Sequence, residues 1–213
     1  MSRIVLVVRE PALALAWRGA LAAGGHDVVA VTNAARSARA LLAQHRPQLV
    51  LCELKLIDGT ALAMIEWLGA LPQRPLIVAM AANTEDALGM PALRAGADNL
   101  CTLPVHPDTL LAVVEQTLRG ETTLNTALAH ALLDHFERMH APRLPRSVDD
   151  EQSPLQLEPA QRELLMRLAA GYRLDQVAAA CRVTAGEIGQ RLRTIVRKLQ
   201  WDVRAAALVL KLA

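Results

Sequence analysis

Apolar residues follow two rhythms along this chain. In the first 120 residues, short unbroken apolar runs alternate with longer segments whose apolar positions recur every three or four residues. The runs are Ile4–Val8, Asp27–Thr32, Leu49–Cys52, Leu76–Met80 and Leu100–Leu103. They are rich in Val, Ile and Leu and mostly lack polar alternation, the pattern of strands buried on both faces. Between them the periodicity predicts helices over Pro11–Ala23, Ala34–His45, Thr60–Leu71 and Asp108–Leu118, the first stopped by Gly24-Gly25. The segment Thr84–Ala95 breaks this regularity with Gly89-Met90-Pro91. A proline inside a helix costs roughly 3 kcal/mol, so a short helix starting near Pro91 is expected, with an irregular stretch before it. Strand and helix in turn, joined by short connections, predict an α/β domain. Its fold would be a doubly wound five-stranded parallel sheet with helices on both faces.

Beyond residue 120 the rhythm is helical throughout. Thr123–Met139 predicts a helix with Leu124, Ala127, Leu128, Ala131, Leu132, Phe136 and Met139 on one broad stripe. Such a stripe has to be covered, by the first domain or by a second copy of the chain. Ala141–Pro154 holds three prolines and the acidic run Asp149-Asp150-Glu151, the composition of a flexible tether. Pro159 suits a first helical position, and Gln161–Ala170 continues that helix up to Gly171. A second short helix follows over Leu174–Cys181, and Arg182-Val183 turn the chain. Thr184 with Glu187 three residues later forms a capping box that opens a third helix. In that helix Ile188, Leu192, Ile195 and Leu199 make one buried stripe, and Gln190, Arg193, Thr194 and Arg197 lie opposite. Asp202 is expected to cap a fourth helix bearing Val203, Ala206, Ala207 and Leu210. A short helix, a tight turn and a longer helix with an Arg/Gln outer face describe a small all-α helix-turn-helix domain. The expected organisation is therefore a domain over 1–120, a linker helix and tether over 121–156, and a helix-turn-helix domain over 157–213.

Charge changes the picture at the C-terminal end. The net charge of +2 divides into zero over 1–120, −3 over 121–156 and +5 over 157–213, where ten basic residues face five acidic ones. A basic surplus confined to the helix-turn-helix segment suits a polyanionic partner, double-stranded DNA. Aromatic residues make up only 2% of the chain, so both cores must be aliphatic. Cys52, Cys101 and Cys181 have no metal-like spacing and read as buried free thiols. Arg9-Glu10-Pro11 ends the first apolar run too early for a signal peptide, and no stretch is long enough to span a membrane. A cytoplasmic protein is expected.

Several segments of the first domain are similar to the receiver domain of two-component response regulators. They are Arg3–Pro11, Pro47–Gly59, the segment Ala95-Gly96-Ala97-Asp98, and Pro104. The resemblance implies a phosphorylation pocket, but the residues at its positions have changed. The acidic pair that holds magnesium is Val8 and Arg9, and the phospho-acceptor aspartate is Glu53. The hydroxyl and lysine that read the phosphate are Met80 and Leu103, and the aromatic switch is Leu100. Magnesium prefers hard oxygen ligands, so neither metal, cofactor nor phosphoryl transfer is expected here. Two readings of Glu53 follow: a built-in phosphate mimic, or an ion pair with Arg9. The ion pair is favoured, because Met80 and Leu103 cannot hydrogen-bond to a carboxylate.

Residues 157–209 resemble the DNA-binding domain of LuxR-type (NarL/FixJ) regulators. Leu157–Gln161, Leu168-Ala169 with Gly171, Gln176-Val177-Ala178 and Ile195–Leu199 carry that resemblance. It implies base readout by Gln190 and Arg193. Thr184, Arg197 and Lys198 would then touch phosphate, with Arg191 and Thr194 on the same surface. Gly189 stands where the family has a lysine, and Arg191 where it has a histidine. Paired half-sites suit a homodimer. The resulting expectation is a DNA-binding regulator controlled by dimerisation, by a regulatory protein or by a small ligand at the receiver-like domain. An interaction adaptor is the alternative, and RNA binding a weaker one. No nucleophile elbow, phosphate loop or metal cluster favours an enzyme, and His106, His130, His135 and His140 read as solvent-facing.

Overall fold

A computed structural model describes residues 1–139 and 156–212, and side chains are described except those of Met139 and 202–212. The predicted tether at 141–154 lies outside the described residues. The chain divides into two compact units, Met1–Gly120 and Glu121–Ala213.

In the first unit the apolar runs become strands. They are β1 (Arg3–Val7), β2 (Asp27–Thr32), β3 (Leu49–Glu53), β6 (Leu76–Ala81) and β7 (Asn99–Thr102), paired in parallel in the order β2-β1-β3-β6-β7. Register is regular between β1 and β3, where Ile4 pairs with Leu49, Val5 with Val50 and Leu6 with Leu51, and it shifts by one residue between Ile4 and Val5 on the β2 side. Successive side chains therefore alternate between two faces, and both faces are dry. Ile4, Leu6, Leu49, Leu51, Val78 and Met80 form one core with Trp17 and Leu21 of α1 (Pro11–Ala23) and Leu110 and Val114 of α5 (Pro107–Leu118). Each fully buried Leu or Val contributes about 1.5–3 kcal/mol relative to an exposed one. The strand order reverses between β1 and β3, the switch point of a doubly wound fold.

Two short strands escaped the sequence reading. Lys55–Leu56 (β4) pairs antiparallel with Gly59–Thr60 (β5) just after β3. The turn between them carries Asp58, whose carboxylate accepts the N–H groups of Ala35 (2.9 Å) and Arg36 (3.1 Å) at the start of α2 (Ala35–His45). These two bonds hold the Asp58 carboxyl below the usual aspartate range. The cap of α2 is thus supplied from 23 positions downstream, because Ala34 has no acceptor of its own.

The next helices are α3 (Leu62–Gly69) and α4 (Gly89–Ala95). The sequence placed α4 correctly: Pro91 falls in its first turn, where no helical partner is lost. Before α4 the side chain of Asp86 accepts from the N–H groups of Ala82 and Leu88, both at 3.0 Å, and faces Lys55 at 3.8 Å. Gly96 ends α4 with φ +132°, and a Cβ there would lie 3.1 Å from the Cα of Gly69, so only glycine lets α3 approach. Two residues on, buried Asp98 binds Arg74 through two hydrogen bonds of 2.6 and 2.9 Å and also accepts the Ile77 N–H at 2.9 Å.

The second unit is helical: α6 (Thr126–Met139), α7 (Pro159–Ala169), α8 (Leu174–Cys181) and α9 (Ala185–Leu212). Helix α6 starts at Thr126 rather than Thr123, because the Asn125 side chain accepts the Leu128 N–H at 2.8 Å and so caps it there. Its buried residues are Leu128, Ala129, Leu132, His135 and Phe136, whereas Ala127 is exposed. Within this unit the stripe packs against α7. His135 is drawn in with it, edge-on to Phe136, contrary to its expected exposure. Cys181 departs the other way: it is exposed, while Cys52 is buried.

The expected break before Asp202 is absent, and one helix runs from Ala185 to Leu212. Leu199-Gln200-Trp201-Asp202-Val203 contains neither glycine nor proline. A single aspartate in a helix interior costs only about 0.7 kcal/mol, too little to interrupt it.

Candidate nucleic-acid interface

Helix α9 is rooted by its apolar face. Ile188, Leu192, Ile195, Val196 and Leu199 are all buried, and Leu164, Leu165, Leu168, Val177 and Ala178 of α7 and α8 are buried alongside them in this unit. The α8–α9 turn is made by Arg182 in the left-handed region, φ 55°. Thr184 then begins α9 with the predicted capping box. Its backbone N–H and hydroxyl donate to Glu187 at 2.7 and 2.9 Å, and its oxygen accepts the Glu187 N–H at 3.2 Å. These bonds hold the Glu187 carboxyl below its ordinary range and point its charge at the helix terminus.

At 100° per residue, the opposite face collects Glu187, Gln190, Arg191, Thr194, Arg197 and Trp201, and all six are exposed. Of the predicted contact residues, the structure brings Gln190, Arg191, Thr194 and Arg197 together on this stripe, with Thr184 exposed at its head. The Thr194 hydroxyl donates back to the Gln190 carbonyl at 3.1 Å.

Two predicted residues stand elsewhere. Lys198 is a clamp rather than a free cation. Its side chain is only 15% exposed, and its ammonium donates to the Gln156 carbonyl (2.9 Å), Gln161 Oε1 (2.8 Å) and Glu158 Oε1 (3.3 Å). It ties α9 to the start of α7, where Glu158 and Gln161 also form a reciprocal capping box. Arg193 is half-buried, on the flank of the helix that also carries Gly186 and Gly189.

That flank explains the missing lysine. The Thr122 N–H donates to the Gly189 carbonyl at 3.0 Å, and Thr122 is fully buried. A Cβ on Gly189 would fall 2.8 Å from the Cβ of Glu121, and one on Gly186 would fall 3.1 Å from its Oε1. The residues that open the second unit therefore lie across the glycine pair, and a lysine at 189 would have no room. Two glycines three apart in a helical pattern were the available signal for such a close approach.

In the first unit, the phosphorylation pocket implied by the resemblance has become partly core. Val8 and Met80 are each 1% exposed. Leu103 is half-buried, and Leu100 is buried on β7. Glu53, paired in register with Met80, accepts the Arg9 backbone N–H at 3.2 Å. Burial holds the Glu53 carboxyl above the ordinary range, offset in part by that N–H and by the Arg9 charge. The expected Arg9–Glu53 ion pair is replaced by this main-chain contact, because the Arg9 guanidinium lies 3.8 Å from Glu10 at the surface. The same burial pushes the neighbouring Cys52 thiol up to about 12. These groups do not fit a magnesium ion: Val8 and Met80 offer no oxygen, and position 9 is cationic. Among the described residues no helix is long and apolar enough to cross a membrane.

Comparison with known proteins agrees with this architecture. Residues 4–115 match the family model of the response regulator receiver domain. A nitrate/nitrite response regulator protein homolog of Haemophilus influenzae is 26% identical over 86% of this chain and 83% of its own. The nitrate/nitrite response regulator protein NarL of Escherichia coli is 24% identical over 76% of this chain and 72% of its own. Among solved structures, the response regulator RcsB in complex with DNA superposes with a TM-score of 0.53 at 14% identity, covering 93% of this chain and 92% of that one. With the receiver match spanning more than half its length, the chain belongs to the response regulator receiver family, and its homology runs to NarL-type response regulators.

Proposed function

We propose that this response regulator binds double-stranded DNA through α9, as a dimer, and that its control does not pass through aspartyl phosphorylation. The observation that carries the reading is the exposed stripe Gln190, Arg191, Thr194 and Arg197, set on a fully buried opposite face. Arginine can pair with guanine and glutamine with adenine in the major groove. With Arg193 on the flank and Lys198 committed, readout falls to Gln190 and Arg191, and phosphate contact to Arg197. The complex of RcsB with DNA supports the same use of this architecture. Phosphorylation-independent control is supported by the apolar Val8 and Met80 and by cationic Arg9 at the receiver pocket.

Electrophoretic mobility shifts on the chain's own upstream DNA, at two salt concentrations, test this. Binding should weaken steeply with salt, and Arg197→Ala should lower the salt slope by about one. Arg191→Ala should cost about 1–3 kcal/mol on one sequence and much less on a scrambled one. Wild-type affinity in both variants would reject the interface. Incubation with acetyl phosphate and magnesium should leave the chain unlabelled.

A second reading, an interaction adaptor, has its own observation. Met166 and Tyr172 are more than half exposed beside a cleft of 410 Å³ that Glu163 and Arg167 also line. Loss of regulation in Met166→Ala/Tyr172→Ala with DNA affinity intact would favour it.

A further inference from the structure

A hollow in the first unit lies far from the receiver pocket. It opens where β3 and β6 begin, at the opposite end of those strands from Glu53. The C-terminal ends of α2 and α3 form its sides, and its volume is about 570 Å³. Cavities of roughly 300–1,000 Å³ commonly take small molecules.

Its lining is apolar and stiff. Leu42 and Leu68 form part of the lining as buried residues, and Trp67 and Leu71 are half-buried. Three prolines, at 47, 72 and 75, complete the walls. Fixed φ angles leave these walls little freedom to lose on binding, and a preformed cavity loses less affinity to ordering.

Its charge has one sign. Arg46 is the only ionisable residue in the lining, which contains no carboxylate. Arg39 adds a second cation, its guanidinium carbon 5.0 Å over the Trp67 ring. Among the described residues neither guanidinium has a carboxylate partner. Arg46 also caps α2 in the left-handed region, φ 42°, where glycine is the favoured residue. A cation therefore occupies a backbone position that its side chain disfavours, at the edge of an apolar cleft.

We propose that this groove binds a small carboxylate with an apolar body. The body lies against Trp67, Leu42 and Leu68, and the carboxylate pairs with Arg46. Such a ligand matches both the apolar lining and the unbalanced charge, whereas a neutral hydrophobe matches only the first.

The test is calorimetric titration of the full chain with 1-naphthoate, and with 1-naphthalenemethanol as its uncharged counterpart. Naphthoate should bind saturably at submillimolar concentration and raise the Tm, and the alcohol should bind at least tenfold more weakly. Arg46→Gly relieves the left-handed cap, so this variant should fold at least as stably as the wild type. It should still lose at least tenfold in naphthoate affinity and leave the alcohol unchanged. The proposal is overturned if naphthoate does not saturate, if acid and alcohol bind alike, or if Arg46→Gly binds naphthoate as the wild type does. It is also overturned if sedimentation shows a dimer that Trp67→Arg dissolves, because the groove would then be covered by a second copy.

Discussion

The receiver pocket and the α9 stripe have gone opposite ways. At the pocket, positions that carry polar chemistry elsewhere in the family hold Val8, Met80 and Leu103, the first two sealed in the core. On α9 Gln190, Arg191, Thr194 and Arg197 stay in water, and Ile188, Leu192, Ile195 and Leu199 turn inward. The sheet tolerates the first change because its strands are buried on both faces, so replacing a polar end group by an apolar one extends the core. The helix gains nothing from such a change, because its outer face has no core to join. The contrast teaches that a buried strand end absorbs an apolar side chain that a solvent-facing helix stripe would leave uncovered.

The largest effect should come from restoring the family lysine. Gly189→Lys forces a side chain against the Cβ of Glu121 and should destabilise the second unit by about 1–3 kcal/mol in urea unfolding. If this variant instead binds DNA more tightly at unchanged stability, the flank belongs to the interface after all.

Next comes Lys198→Ala, which removes the donor shared by Gln156, Glu158 and Gln161 and should cost about 1 kcal/mol. Its salt slope for DNA should remain that of the wild type, the opposite of Arg197→Ala. A reduced slope would return Lys198 to the phosphate contacts.

A smaller, pH-dependent effect should separate the pocket from the stripe. Burial raises the folded-state Glu53 carboxyl above its unfolded value. Its favourable contribution is then fully present below the unfolded value, about 4.3, and is lost as pH rises through the folded one. Glu53→Gln keeps the acceptor for the Arg9 N–H and removes the charge. At neutral pH it should therefore unfold slightly later than the wild type, and the gap should close as pH falls toward 4.3. Asp58 and Asp86, both held low, act in the reverse sense at lower pH but are common to the two proteins and cancel. Smallest of all, Glu53→Ala should leave DNA affinity within twofold. A large loss of binding would revive the carboxylate as a phosphate mimic.

What could be read from residue order was whatever neighbouring residues decide. Ile4–Val8 and Leu76–Met80 announce buried strands, Pro91 announces the start of a short helix, and Thr184 with Glu187 announces a capping box. All four hold in the structure. Pairings between distant positions were not legible. Asp58 caps a helix that begins 23 residues earlier, and Lys198 reaches back some 40 residues to Glu158 and Gln156. Thr122 meets Gly189 across most of the second unit. Periodicity says that the α6 stripe is buried but not by what, and its cover proved to be α7. Arg193, expected on the outer face, is half-buried on the flank that also carries Gly186 and Gly189.

The unbroken run of α9 has a mechanical consequence. Twenty-eight residues make a rod of about 42 Å, nearly eight turns long, with no joint between its two ends. Gripping the distal end would act like turning a key by its bow: torque applied there passes along the same rod that carries Gln190 and Arg191, through the core that roots it. A separate fourth helix would have let that end swivel on its own.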